Sequence, residues 1–158
     1  MKYYGKLFGD EDCDEPYIDD KFKMFIFSRK YSFGTMHKYT PEEIRHRFRF
    51  KKYVIHPLYA YEHGGLMIGL SRDKYPFNCR WDGYQIGFIV TPAKYKMDII
   101  NSILDDYNCW LNGDVWGYTI YDENDEEVES SFNYYGYSVA EQCMNDMIKE
   151  LEIESDLR

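Results

Sequence analysis

Thirty of the 158 side chains are aromatic rings: 17 Tyr, 10 Phe and 3 Trp. Rings in that number have to be buried against one another, because each exposes a large apolar area to water when it is not. The density excludes an intrinsically disordered chain, although the mean hydropathy of −0.64 would suit one; that index counts Tyr as polar. The length suits a single domain, here residues 1–158. A domain of this size removes about 70% of its unfolded surface from water, so a core forms without disulfide or metal staples. No run reaches the roughly 18 apolar residues of a membrane span. No charged stretch followed by an apolar one opens the sequence as a secretory signal would. Cys13, Cys79, Cys109 and Cys143 are too far apart for paired-cysteine or zinc-knuckle spacing. These features point to a cytoplasmic protein with free thiols, no bound metal and no cofactor.

The net charge of −9 hides a segregation. Residues 1–97 carry 17 Lys and Arg against 12 Asp and Glu, a net +5, whereas residues 98–158 carry 2 against 16, a net −14. Only Lys149 and Arg158 are basic in that second stretch. A surface of that sign repels nucleic acid and attracts proteins with basic grooves. Carboxylates at suitable spacing can stand in for phosphates, so mimicry of a nucleic-acid backbone is one reading. A solvated face that keeps the protein soluble is another. The basic first part could also pair with the acidic second part, within one molecule or across a homodimer.

Residues 1–21 read as an acidic, loop-like N-terminal segment and residues 22–155 as the folded core. The carboxylates of 10–20 lack the sharp-turn Gly and closing Glu of a calcium loop. The apolar run at 22–27 predicts a strand. Thr40-Pro41-Glu42-Glu43 is a helix start, with Thr as N-cap, Pro at the first helical position and Glu at the third. That helix, running to about Phe50, bears the one basic cluster: Arg45, His46, Arg47, Arg49, Lys51 and Lys52. The cluster reads as a solvated face, a nucleic-acid contact or a partner for the acidic half. Strands at 53–61 and 66–70 flank a His63-Gly64-Gly65 turn, and a further strand spans 84–90, where Gly87 admits a close neighbour. Pro92 opens a helix through about Leu111, with Met97, Ile100, Ile103, Leu104, Tyr107 and Leu111 as its buried stripe and Asn112-Gly113 as its stop. Strands at 115–121 and 127–134 enclose a turn at 122–126. Ser138 and Glu141 form a capping box for a last helix, with Val139, Cys143, Met147 and Leu151 on one face. This order predicts an α+β fold: a single antiparallel sheet with helices packed mainly on one face.

Several segments form a pattern: His56-Pro57-Leu58-Tyr59 with Tyr61-Glu62-His63-Gly64-Gly65; Pro76-Phe77-Asn78-Cys79-Arg80-Trp81-Asp82 with Gln85-Ile86-Gly87-Phe88-Ile89; and Leu111-Asn112-Gly113-Asp114-Val115-Trp116-Gly117-Tyr118. This pattern, which spans roughly residues 22–140, resembles a family of small uncharacterised proteins of phages and conjugative elements in Gram-positive bacteria. The chain departs from it at Arg80, where the family carries Pro, and at Leu70, where it carries Ser or Thr. The family has no established activity, so the resemblance assigns no catalytic residue. It implies a mobile-element setting, where small acidic proteins often disable host machinery.

Two kinds of site follow. A Cys nucleophile needs a neighbouring base and a carboxylate to orient it. Cys79 with His56 or His63, and Asp82 or Glu62, supply those residue types if their hairpins face each other. The alternatives are a structural histidine at His56 and a turn residue at His63. The seven-residue interval between them does not fit the helical zinc motif. For protein binding, the candidates are Asp114, Asp122, Glu123, Asp125, Glu126, Glu127 and Glu129 on the acidic hairpin. Asp146, Glu150 and Glu154 follow in one helical row, and Trp81 is a loop anchor. Trp116, inside a strand, reads as core. The leading expectation is an acidic inhibitor that occludes the nucleic-acid-binding surface of a host or defence protein, without itself contacting nucleic acid or membrane. A small Cys/His enzyme and an oligomeric structural or regulatory module are the alternatives.

Overall fold

The computed structural model describes residues 1–62, 64–70 and 83–157. In chain order its elements are β1 (Tyr4–Gly9), β2 (Lys23–Ile26), α1 (Pro41–Arg47), β3 (Tyr53–Glu62), β4 (Leu66–Gly69), β5 (Gly83–Pro92), α2 (Met97–Leu111), β6 (Val115–Tyr121), β7 (Glu127–Tyr135) and α3 (Tyr137–Asp156). The α+β class is as the sequence predicts. The single sheet is not: the strands form two antiparallel sheets, ordered β2-β5-β3-β4 and β1-β6-β7. The chain divides correspondingly into two compact units, Glu15–Asn112 and Met1–Asp14 with Gly113–Arg158. Among the described residues, no helix is long and apolar enough to cross a membrane.

In the unit formed by Glu15–Asn112, the apolar run of β5 is buried on both faces from Ile86 to Thr91. A strand apolar on both faces needs two covers. Leu58, Ala60, Ile68 and Ile89 pack one side against Ile100, Leu104 and Tyr107 of α2. Phe25, Phe88 and Val90 pack the other against Ile44 of α1. Helices therefore lie on both faces of this sheet, not mainly on one. The expected capping box opens α1: Glu43 N donates to Thr40 Oγ1 at 3.3 Å and Glu43 Oε1 accepts from Thr40 N at 3.4 Å. The helix stops at Arg47, and Phe48 turns its ring onto Phe25 and Tyr53. α2 starts at Met97 and not at Pro92, because Thr91 and Pro92 still pair with Val54 and Tyr53. Met97 is consequently exposed rather than part of the buried stripe. On the edge strand β4, Asn108 of α2 accepts from Ile68 N at 2.7 Å and donates to Ile68 O at 3.0 Å, closing an edge that would otherwise offer its backbone to another chain.

In the other unit, Tyr4–Gly9 forms an edge strand beside β6, within the segment that charge had marked as loop-like. The carboxylates begin only at Asp10, and the residues before it alternate in the way a half-buried strand requires. Asn133, at φ 66°, sits in an irregularity of β7 and accepts from Asp14 N at 3.3 Å while its own N–H donates to Asp10 at 3.1 Å, which holds the acidic stretch in place. One sheet face is covered by α3 through Tyr118, Ile120 and Met144. The Ser138 capping box does not form. Gly136, at φ 102°, caps the helix two residues earlier, and Asp114 accepts from Tyr137 N at 3.1 Å. This start turns Ala140 and Met144 inward and leaves Val139 exposed.

Gly87 behaves as its position predicts: a Cβ there would overlap the carbonyl oxygen of Phe25 on β2. Gly87→Ala should therefore lower stability by about 2–3 kcal/mol in chemical denaturation. Gly69→Ala, with open space at its Cβ, should leave stability unchanged or slightly raised.

Candidate functional site

Of the Cys/His constellation, His63, Cys79 and Asp82 lie outside the described residues, as does Trp81. His56 sits on β3 opposite Ile89, half-buried, and burial lowers its pKa from the ordinary value. Glu62, the other carboxylate considered for orienting a histidine, is engaged elsewhere. Its Oε2 accepts from Lys30 Nζ at 3.1 Å and its Oε1 from Tyr84 OH at 2.9 Å. Those two bonds, Tyr84's first, hold the Glu62 carboxyl below its usual range, and burial with Glu62 pushes the Tyr84 hydroxyl up to about 12. Among the described residues, no group of three or more His, Cys, Asp or Glu is placed to hold a metal ion.

The acidic hairpin divides into carboxylates that build it and carboxylates that it presents. Asp122 builds it: it is only 9% exposed, and its Oδ1 accepts from Asn124 N at 2.8 Å and Glu126 N at 3.1 Å. Of the hairpin carboxylates expected to bind a partner, it is the one buried within the turn itself. Asp114 is likewise engaged, accepting from Trp116 Nε1 at 2.6 Å as well as from the start of α3. Glu129 is half-buried and accepts from Ser130 N. The exposed group is Glu123, Asp125, Glu126 and Glu127 at the tip. Glu123 accepts from Lys2 N at 2.7 Å, and Asp125, at φ 63°, accepts from Tyr4 OH at 2.6 Å. The Asp125 bond raises the Tyr4 hydroxyl to about 12. Along α3, Asp146, Glu150 and Glu154 are exposed at intervals of four, the first accepting from Gln142 Nε2 at 2.8 Å. The unit carries 17 Asp and Glu against 4 Lys and Arg. Among its described residues, no Lys or Arg comes within 4 Å of a carboxylate.

Beside the tip lies a surface that the sequence reading missed. On the sheet face turned away from α3, Tyr4 stacks on Tyr121 at 5.3 Å, Phe8 meets Phe132 edge-on at 5.8 Å, and Lys6 Nζ lies 5.6 Å above the Tyr121 ring. Phe132 is 57% exposed and Tyr4 39%. The every-second-residue spacing of Tyr4, Lys6 and Phe8 was the signal for it. Trp116 is half-buried, with its ring edge against Tyr137, and is not a core residue. The basic cluster at 45–52 is also resolved into contacts. Arg45 lies over Phe88, Arg47 over Tyr39, Arg49 over Phe50 and Lys52 over Tyr53, at 4.4 to 5.3 Å.

Fold and surfaces together define an α+β protein of two units, one strongly acidic and the other with 15 Lys and Arg against 11 Asp and Glu. No protein-family model, curated protein or solved structure matches the chain.

His56 makes stability depend on pH. The unfolded chain binds its proton at the ordinary 6.5 and the folded chain only at lower pH, so the unfolded state binds more protons through that window. Its contribution is complete above pH 6.5 and is lost as the pH falls below it. Urea denaturation between pH 7 and 5 should show stability declining, and His56→Gln should flatten the decline.

Proposed function

We propose that the chain acts by binding, its acidic unit docking on a basic surface of a partner protein and occluding the nucleic acid that surface would hold. The observation behind this reading is the tip at 123–127: four exposed carboxylates in five residues, with no cation of their unit at ion-pair distance among the described residues. A field of this kind accelerates encounter with a basic surface and weakens as salt screens it. The exposed rings of Tyr4 and Phe132 supply the short-range anchoring that charge alone lacks. In keeping with the resemblance to phage and conjugative-element proteins, the partner is taken to be a host or defence protein.

The test loads DNA-binding proteins of a Gram-positive bacterium onto immobilised DNA and adds the purified chain. The wild type should displace one or a few of them at low salt, and displacement should fall roughly tenfold or more as salt rises from about 50 to 200 mM. The triple variant Glu123→Lys, Glu126→Lys, Glu127→Lys leaves Asp122 and Asp125, which shape the turn, in place and should displace nothing. Equal displacement by wild type and variant, or none by the wild type, overturns the reading.

A further inference from the structure

We infer that the unit formed by Glu15–Asn112 carries a binding site for a nucleotide, in a cleft of about 450 Å³ between β2, α1 and the start of β3. The volume lies within the range of small-molecule sites. Its walls combine two chemistries. Lys23, Arg47 and Lys52 bring three cations, and no acidic residue lines the cleft. Within the unit, no carboxylate among the described residues comes within 4 Å of any of the three. The apolar lining is aromatic rather than aliphatic: Phe25, Tyr39, Phe48, Phe50 and Tyr53, with Met36 and Thr35 completing it.

Each feature alone has an ordinary explanation, and their combination narrows the ligand. Simple anions would be met by the cations without rings, and a fatty chain would be met by aliphatic side chains without cations. A planar heterocycle bearing phosphate uses both, stacking on rings while its charge is neutralised. The floor is rigid, because Phe25 is 2% exposed and packs against Phe48 and Tyr39 at 5.7 and 6.0 Å. The rim is open: Phe50 is 51% exposed, and Arg47 and Lys52 lie against the Tyr39 and Tyr53 rings at 5.3 and 5.2 Å. Those contacts set the two exposed charges beside the rings at the mouth of the cleft. The same ligand chemistry comes from a free mononucleotide or from one unit of a single strand.

The test titrates the full chain by calorimetry with AMP, GMP, CMP and UMP, with adenosine and inorganic phosphate separately, and with single strands of about ten nucleotides. At least one mononucleotide should bind more tightly than either of its halves. Arg47→Gln with Lys52→Gln, both exposed and outside the core, should weaken it roughly tenfold or more. Phe50→Ala should weaken the mononucleotide without affecting phosphate, and Lys38→Gln, outside the cleft, should change nothing. A single strand binding far more tightly than its mononucleotide identifies a strand as the occupant; equal affinities identify the free nucleotide. Binding of neither tighter than about 1 mM, or equal binding by wild type and the Arg47/Lys52 variant, overturns the site. None of these substitutions touches the acidic hairpin, so the result stands apart from the displacement assay.

Discussion

Residues 86–91 of β5 have no wet face, and the rest of their unit follows from that. Neighbouring strands must cover the backbone, and a helix must cover each face. Gly87 lets the Phe25 carbonyl on β2 come closer than any side chain would allow. The register that results places Phe25 opposite Phe88, on the α1 side of the sheet. Phe25 then becomes the floor of the cleft whose mouth carries Arg47 and Lys52. The proposed nucleotide site thus depends on the packing of a strand that contributes no residue to its lining.

In the acidic unit α3 covers one face of the three-stranded sheet. The opposite face consists of paired rings that shield one another, stacked at Tyr4 and Tyr121 and edge-on at Phe8 and Phe132. At the two ends of β6, an aspartate takes a structural role. Asp114 fastens the start of α3, and Asp122 closes the turn with two charge-assisted hydrogen bonds. Beyond Asp122, Glu123, Glu126 and Glu127 stand exposed at the tip.

Much of this was legible in the sequence. The Thr40 cap, the β5 run, the α2 stripe and the 122–126 turn are local signals, and each appears within a few residues of its expected place. Other features depend on residues far apart in the chain. Whether strands form one sheet or two depends on long-range pairing, so β1 joining β6 across more than 100 residues left no mark in either segment. The start of α3 shifted because the distant Asp114 supplied the acceptor that Ser138 had been expected to provide. The acidic tip was visible as composition. The division of its carboxylates into building and presenting groups was not, because it rests on which backbone N–H groups the turn brings within reach of Asp122.

In both units, polar groups are satisfied largely without opposite charges. The carboxylates of the acidic unit accept from backbone N–H groups, a phenol and an indole. The cations of α1 and its flank lie on aromatic faces. An exposed ion pair contributes only about 0–1 kcal/mol, so pairing these charges would add little stability. It would also cancel the field that each surface projects over a screening length of about 8 Å at physiological salt. The segregation of charge is therefore nearly neutral for folding. The proposed basic partner surface and the proposed anionic ring compound would draw on one feature: the fold satisfies these charged groups largely with neutral donors and rings, and so leaves their net charge available.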